Sequence, residues 1–165
     1  MTQDSDLSKE LERQQKQLKI QKGIRKTEDS LVLLIQKALD QSESYGRLEE
    51  SQFRNLVRVS STTESPEVIK NFIRYQVGRD RKWGRGKDSL AERIILNIGQ
   101  NNSNTESQGE LLSWAKKIAE EAGSDDSDDI DRIWIELIRR YLGYGARYLK
   151  YLNDGQSESL KHKNG

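Results

Sequence analysis

A single proline stands in this 165-residue chain, and it follows a serine, in Ser65-Pro66-Glu67. That is a helix start: the serine serves as cap, and the proline occupies the first helical position, where its missing N–H would be unpaired anyway. Elsewhere nothing forbids continuous i→i−4 hydrogen bonding. Val, Ile, Thr and the aromatics never alternate with polar residues over a useful stretch, so the strand signal is absent. The chain reads as all-α, a compact helical bundle of about six helices with a polar N-terminal arm. Its core must be economical, because apolar residues make up only 33% of the chain and charged residues as much again.

Apolar periodicity places the elements. Residues 1–26 carry Leu7, Leu11, Leu18, Ile20 and Ile24 among Gln, Lys and Glu, a stripe too thin to dock. They read as an arm, helical or disordered, that orders only on a partner. Thr27 then caps a helix with Leu31, Leu34, Ile35, Ala38 and Leu39 inward, ending near Tyr45-Gly46. The next helix, about 48–60, turns Phe53, Leu56 and Val57 inward, and the helix opened by Pro66 does so with Val68, Ile69, Phe72, Ile73 and Gln76. Gly78 to Gly86 interrupts it. Ser89-Leu90-Ala91-Glu92 makes a capping box for a short helix burying Leu90, Ile94, Ile95 and Ile98, closed by Gly99.

Residues 99–109 read as a flexible loop. A helix from Ser107 or Gln108 buries Leu111, Leu112, Ala115, Ile118 and Ala119 and ends at Gly123. The acidic run Asp125 to Asp131 opens the longest helix, roughly 130–152, with Ile133, Trp134, Leu137, Ile138, Tyr141, Leu142, Tyr148, Leu149 and Leu152 inward. Asn153-Asp154-Gly155 is expected to stop it. The expected organisation is an arm at 1–26, a bundle at 27–154 and a disordered tail at 155–165.

The reactive inventory is small. With no cysteine and one histidine, His162 in the tail, the usual nucleophile–base pairs cannot be built, and no catalytic or metal site and no cofactor are expected. The run Asp125-Asp126-Ser127-Asp128-Asp129-Ile130-Asp131 lacks the glycine and glutamate of a calcium loop and has Ile130 where a ligand should stand. It reads as the acidic start of a helix, favoured by the helix dipole. Gly84-Arg85-Gly86-Lys87-Asp88-Ser89 resembles a phosphate loop only superficially, because Arg81 replaces the leading glycine and Asp88 the Ser or Thr after the lysine. No apolar run approaches the ~20 residues a bilayer requires, so no membrane partner and a cytoplasmic location are expected.

What remains is charge distribution. The segment Arg74 to Lys87 holds Arg74, Arg79, Arg81, Lys82, Arg85 and Lys87 against one acid, Asp80, inside a chain of net charge +1. Arg54 and Arg58, and Lys70 one turn before Arg74, could extend the patch. Trp83 could stack a nucleic-acid base or else cover the bundle's end. Residues 106–136 carry ten acids against three bases, so the molecule is polarised. The candidate phosphate-contacting set is Arg54, Arg58, Lys70, Arg74, Arg79, Arg81, Lys82, Trp83, Arg85 and Lys87, and such contacts carry little sequence preference.

Phe53-Arg54-Asn55-Leu56, Tyr75-Gln76-Val77-Gly78-Arg79 and Arg140-Tyr141-Leu142 through Tyr148 and Tyr151 occur in this order. Over roughly residues 30–152 the pattern resembles the small subunit of type III CRISPR-Cas effector complexes, the Csm-type helical-bundle subunit. The resemblance implies a non-catalytic protein. Its copies would stack beside guide RNA and target RNA, contact the strand backbone and bridge the backbone-repeat subunits to the large subunit. Of the candidate residues, Arg54 and Arg79 match motif positions; the others rest on charge alone. The longer arm and the 99–109 loop depart from the family's minimal bundle. Two rival readings stand beside it. One is a protein-only adaptor docking partners through the acidic face and the aromatic C-terminal helix. The other is a DNA-binding regulator, for which the glycine-broken basic segment is a poor groove-reading element.

Overall fold

The computed structural model describes residues 2–41, 48–101 and 109–163, with side chains as far as 155. Within them lie six α-helices and no strand: α1 Thr2–Gln41, α2 Glu50–Thr62, α3 Pro66–Arg79, α4 Leu90–Ile98, α5 Glu110–Glu121 and α6 Ser127–Lys163. A single 3-10 turn, Arg81–Trp83, follows α3. Helix α6 is the spine. Helices α1, α2 and α5 pack on it, and α3 joins α2 to α4. No described helix is long and apolar enough to cross a membrane.

Periodicity located the core well where a helix carries its own stripe. Leu90, Ile94, Ile95 and Ile98 of α4 are buried, as are Leu111, Leu112, Ala115, Ile118 and Ala119 of α5. Ser65 caps α3 by accepting from Val68 N at 3.3 Å, and Ser89 caps α4 by accepting from Glu92 N at 3.2 Å. The core of α6 is drawn in by polar ties as well as by burial. Trp134 Nε1 donates to Ile98 O at 2.7 Å, and Asn97 Nδ2 donates to the buried Tyr141 hydroxyl at 2.9 Å. Burial pushes the Tyr141 hydroxyl well above the ordinary tyrosine range. Gly145 lets α6 approach two helices at once: a Cβ there would meet Ile35 and Phe53 carbons at 2.7 Å.

Two boundaries and one helix face differ from expectation. Thr27 is not a cap, because α1 is continuous from Thr2. Its Oγ1 donates back to Gly23 O at 2.8 Å, the bond a threonine makes in a helix interior. Ile20 and Ile24 are buried and prolong the stripe of Leu31 and Ile35. The arm is therefore helical and docks from about Lys16 onward. Second, α6 passes through Gly155 as far as Lys163, since one glycine costs only ~1 kcal/mol and the following Gln, Glu, Leu and Lys favour helix. Third, the inner face of α3 is rotated, with Val68 exposed and Lys70 buried. The expected helix end at Tyr45-Gly46, most of the 99–109 loop and the start at Ser107 or Gln108 lie outside the described residues. So does the side chain of His162.

Candidate nucleic-acid interface

The corner between α3 and α4 is organised by Asp80. Asp80 ends α3 with its N–H donating to Gln76 O at 2.8 Å, then caps the 3-10 turn by accepting from Lys82 N at 3.0 Å through Oδ1. Its Oδ2 accepts from Gln52 Nε2 of α2 at 2.7 Å. The backbone hydrogen bond from Lys82, the Gln52 bond and the charges of Lys82 and Arg79 hold the Asp80 carboxyl below the ordinary aspartate range. The only negative charge in the basic segment thus serves the backbone and leaves the neighbouring arginines without a carboxylate.

Trp83 closes the turn from inside. It has no exposed surface and stacks on Phe53, with centroids 5.8 Å apart and planes 26° from parallel, while its Nε1 is buried without a partner. A sealed indole cannot stack a base, so Trp83 leaves the interface and belongs to the core. Its contact with Phe53 fastens the first turn of α2, which carries Arg54, to the corner. Beyond Trp83 the backbone swings out through Gly84 and Gly86, at φ +77° and +90°, a region glycine enters without strain. Arg85, Lys87 and Asp88 are exposed on that loop.

Lys70 also drops out. It is 3% exposed, pairs with Glu67 at 2.8 Å and lies over the Trp134 ring at 5.8 Å. The whole side chain, ammonium included, is covered, and Glu67 at the rim supplies its countercharge. Of the other candidates, Arg54 pairs with Glu50 at 2.6 Å yet stays largely exposed, and Lys82 meets Glu49 only at 4.0 Å. Arg58, Arg74, Arg79, Arg81, Arg85 and Lys87 are exposed and make no ion pair among the described residues.

The patch is smaller than the sequence suggested. Arg79, Arg81, Lys82, Arg85 and Lys87 share the corner by chain continuity, with Arg54 on the adjoining turn and Arg58 one turn along the same flank of α2. Arg74 stands five residues before Arg79, about 140° around α3 at 3.6 residues per turn. It lines a different groove, with Leu96 and Gln100.

Two other expected surfaces are partly used by the fold, although Asp125, Asp126, Asp128, Asp131 and Tyr151 stay exposed. In the acidic run, Asp126 accepts from Asp128 N at 2.9 Å as a helix cap. Asp129 is buried, pairing with Lys16 at 2.8 Å and accepting from Ser124 Oγ at 2.6 Å. Among the described residues no three Asp, Glu or His side chains are grouped to hold a metal. Along α6, Trp134 and Tyr141 face the core, Tyr148 donates to Asp40 at 2.6 Å, and Arg140 pairs with Glu28 and Glu136.

One cationic stretch went unremarked. Residues 13–26 contain Arg13, Lys16, Lys19, Lys22, Arg25 and Lys26 and no acid, as many cations in fourteen residues as Arg74 to Lys87 holds. A count of charge along the arm, without reference to its thin apolar stripe, would have found it. No family model, curated protein or solved structure matches the chain, so the class rests on fold and surface: an all-α bundle with a cationic corner.

Proposed function

We propose that this chain is a non-catalytic RNA-backbone-contacting subunit, acting in the cytoplasm as the small subunit of a type III CRISPR ribonucleoprotein effector. The observation that carries the RNA reading is the corner: exposed Arg79, Arg81, Arg85 and Lys87 without ion-pair partners among the described residues, beside an aspartate bonded to the backbone and to Gln52. The CRISPR assignment rests on the motif resemblance. In it the chain contacts guide RNA and target RNA through phosphates and bridges the backbone-repeat and large subunits alongside further copies of itself. Single-copy affinity is weak and grows by avidity along the assembly. The protein-only adaptor is less well supported, because Trp134 and Tyr141 of its aromatic helix face the core and Tyr148 is bonded to Asp40, which leaves Tyr151 as the largely exposed ring.

The test is titration of labelled single-stranded and duplex RNA from about 50 to 300 mM salt. Affinity on single strands should fall by roughly 0.7 log units per log unit of salt for each phosphate contacted. The pair Arg81→Glu and Arg85→Glu should abolish binding while unfolding is unchanged. A flat salt dependence, or undiminished binding by that variant, overturns the proposal.

A further inference from the structure

Helix α1 has two apolar stripes, and only one of them is covered. Ile20, Ile24, Leu31 and Ile35 are buried against the bundle. Leu7, Leu11 and Leu18 are 64%, 59% and 67% exposed. At 3.6 residues per turn the three leucines fall within about 40° of one another, about 130° around the helix from the buried stripe. With Gln14 they are spaced four, three and four residues apart, the spacing of a coiled-coil seam. Residues 2–15 are all exposed and make no hydrogen bond or ion pair to another element among the described residues. An undocked helical segment of this length, about 21 Å from Thr2 to Gln15, is marginal in water without packing.

Charge says what covers it. Residues 4–12 carry Asp4, Asp6, Glu10 and Glu12 against Lys9, a net −3. Residues 13–21 carry Arg13, Lys16 and Lys19 and no acid, a net +3, with Lys16 also paired to Asp129. A parallel pair of such helices sets like blocks side by side. An antiparallel pair sets each acidic block on the other chain's basic block, and it also brings Leu7 of one helix opposite Leu18 of the other, with Leu11 against Gln14. We infer that the N-terminal half of α1 is a self-association surface that pairs with the same segment of a second copy, antiparallel and about a two-fold axis. The seam has only three leucines per chain, so pairing is weak in free solution and strengthens where copies are held side by side. The inference does not rest on RNA binding and is tested without RNA.

Sedimentation of the full chain over rising concentration should show a monomer passing to a dimer. The double variant Leu11→Glu with Leu18→Glu should remain monomeric at every concentration, with an unchanged unfolding midpoint for the bundle. Because the chain has no cysteine, single Leu7→Cys and Leu18→Cys proteins of different tag length can be mixed and oxidised. Crosslinks between positions 7 and 18 should exceed 7–7 and 18–18 links. A chain that stays monomeric to about millimolar concentration overturns the inference, as does an excess of 7–7 links or a dimer indifferent to the leucine changes. If the wild-type chain is monomeric and the leucine variant instead weakens RNA binding, the stripe serves RNA and the inference also fails.

Discussion

Along α6, Arg139 donates to the carbonyls of Ser60 and Thr63 at 2.9 and 3.0 Å, Arg140 pairs with Glu28 and Glu136, and Asp129 holds Lys16. At the corner between α3 and α4, Arg79, Arg81, Arg85 and Lys87 have no such partners among the described residues, and Asp80 binds backbone and amide groups. Both regions are densely charged. The difference teaches where to look for function in a chain without reactive side chains. Charge on α6 is used to join helices distant in sequence, whereas at the corner the structure is carried by Trp83, Phe53 and Asp80 and the cations are left over.

The contrast breaks first if the corner is not in fact built on its buried indole. Trp83→Ala should destabilise the chain by about 3–5 kcal/mol, the usual cost of emptying a large aromatic site. Denaturant unfolding should show a lowered midpoint at unchanged slope. A smaller loss falls to Arg139→Ala on the opposite side of the comparison. Removing a charged donor from two part-buried carbonyls should cost about 1.5–3 kcal/mol while RNA affinity is unaltered, read by unfolding and by titration.

Two glycines of α6 sharpen the account of its packing. A Cβ at Gly145 would meet Ile35 and Phe53 at 2.7 Å, whereas one at Gly143 meets nothing within 4 Å. Gly145→Ala should therefore lose about 1–3 kcal/mol to overpacking, against the ~1 kcal/mol that alanine's helix preference returns. Gly143→Ala should gain up to about 1 kcal/mol. Thermal unfolding of the two variants, two residues apart, should shift in opposite directions.

These sites also mark how far the sequence could be read. Helices α4 and α5 were legible because each carries its own stripe and its own glycine stop. The docking of α1 was not, because Lys16 finds Asp129 more than a hundred residues later, and local hydropathy contains no trace of that pair. Trp83 sits among glycines and arginines, which hides its burial; Phe53, which covers it, lies thirty residues earlier. The charge density of the corner was visible in composition. Which cations were free was not, since that depends on where Asp80 and Trp134 point.

The Lys16–Asp129 tie has a pH signature. The Lys16 bond, the Ser124 bond and the nearby charges of Lys16 and Arg132 hold the Asp129 carboxyl below the ordinary aspartate value. A depressed native value gives stability that is complete above the unfolded value of about 3.9 and is lost as pH falls through the native one. Wild type should thus lose stability below about pH 4 more steeply than Asp129→Asn, and the two should converge in acid. Urea midpoints across that range test it, and parallel curves would show that the tie contributes nothing.

The smallest effect separates the two kinds of cation most cleanly. Lys70→Met removes a charge from the basic side of the molecule but keeps the stem that lies over Trp134. Its partner Glu67 is 65% exposed and is left in water, so stability should change by less than about 1 kcal/mol, as exposed-side ion pairs contribute little. If Lys70 is an architectural cation, RNA affinity and its salt slope should be those of wild type. Arg81→Met deletes a charge of the same sign from the same face of the sequence. Because Arg81 is exposed and unpaired, that change should lower the slope by about 0.7 if it meets one phosphate. Equal slopes for the two variants would mean that binding follows net charge and not the corner.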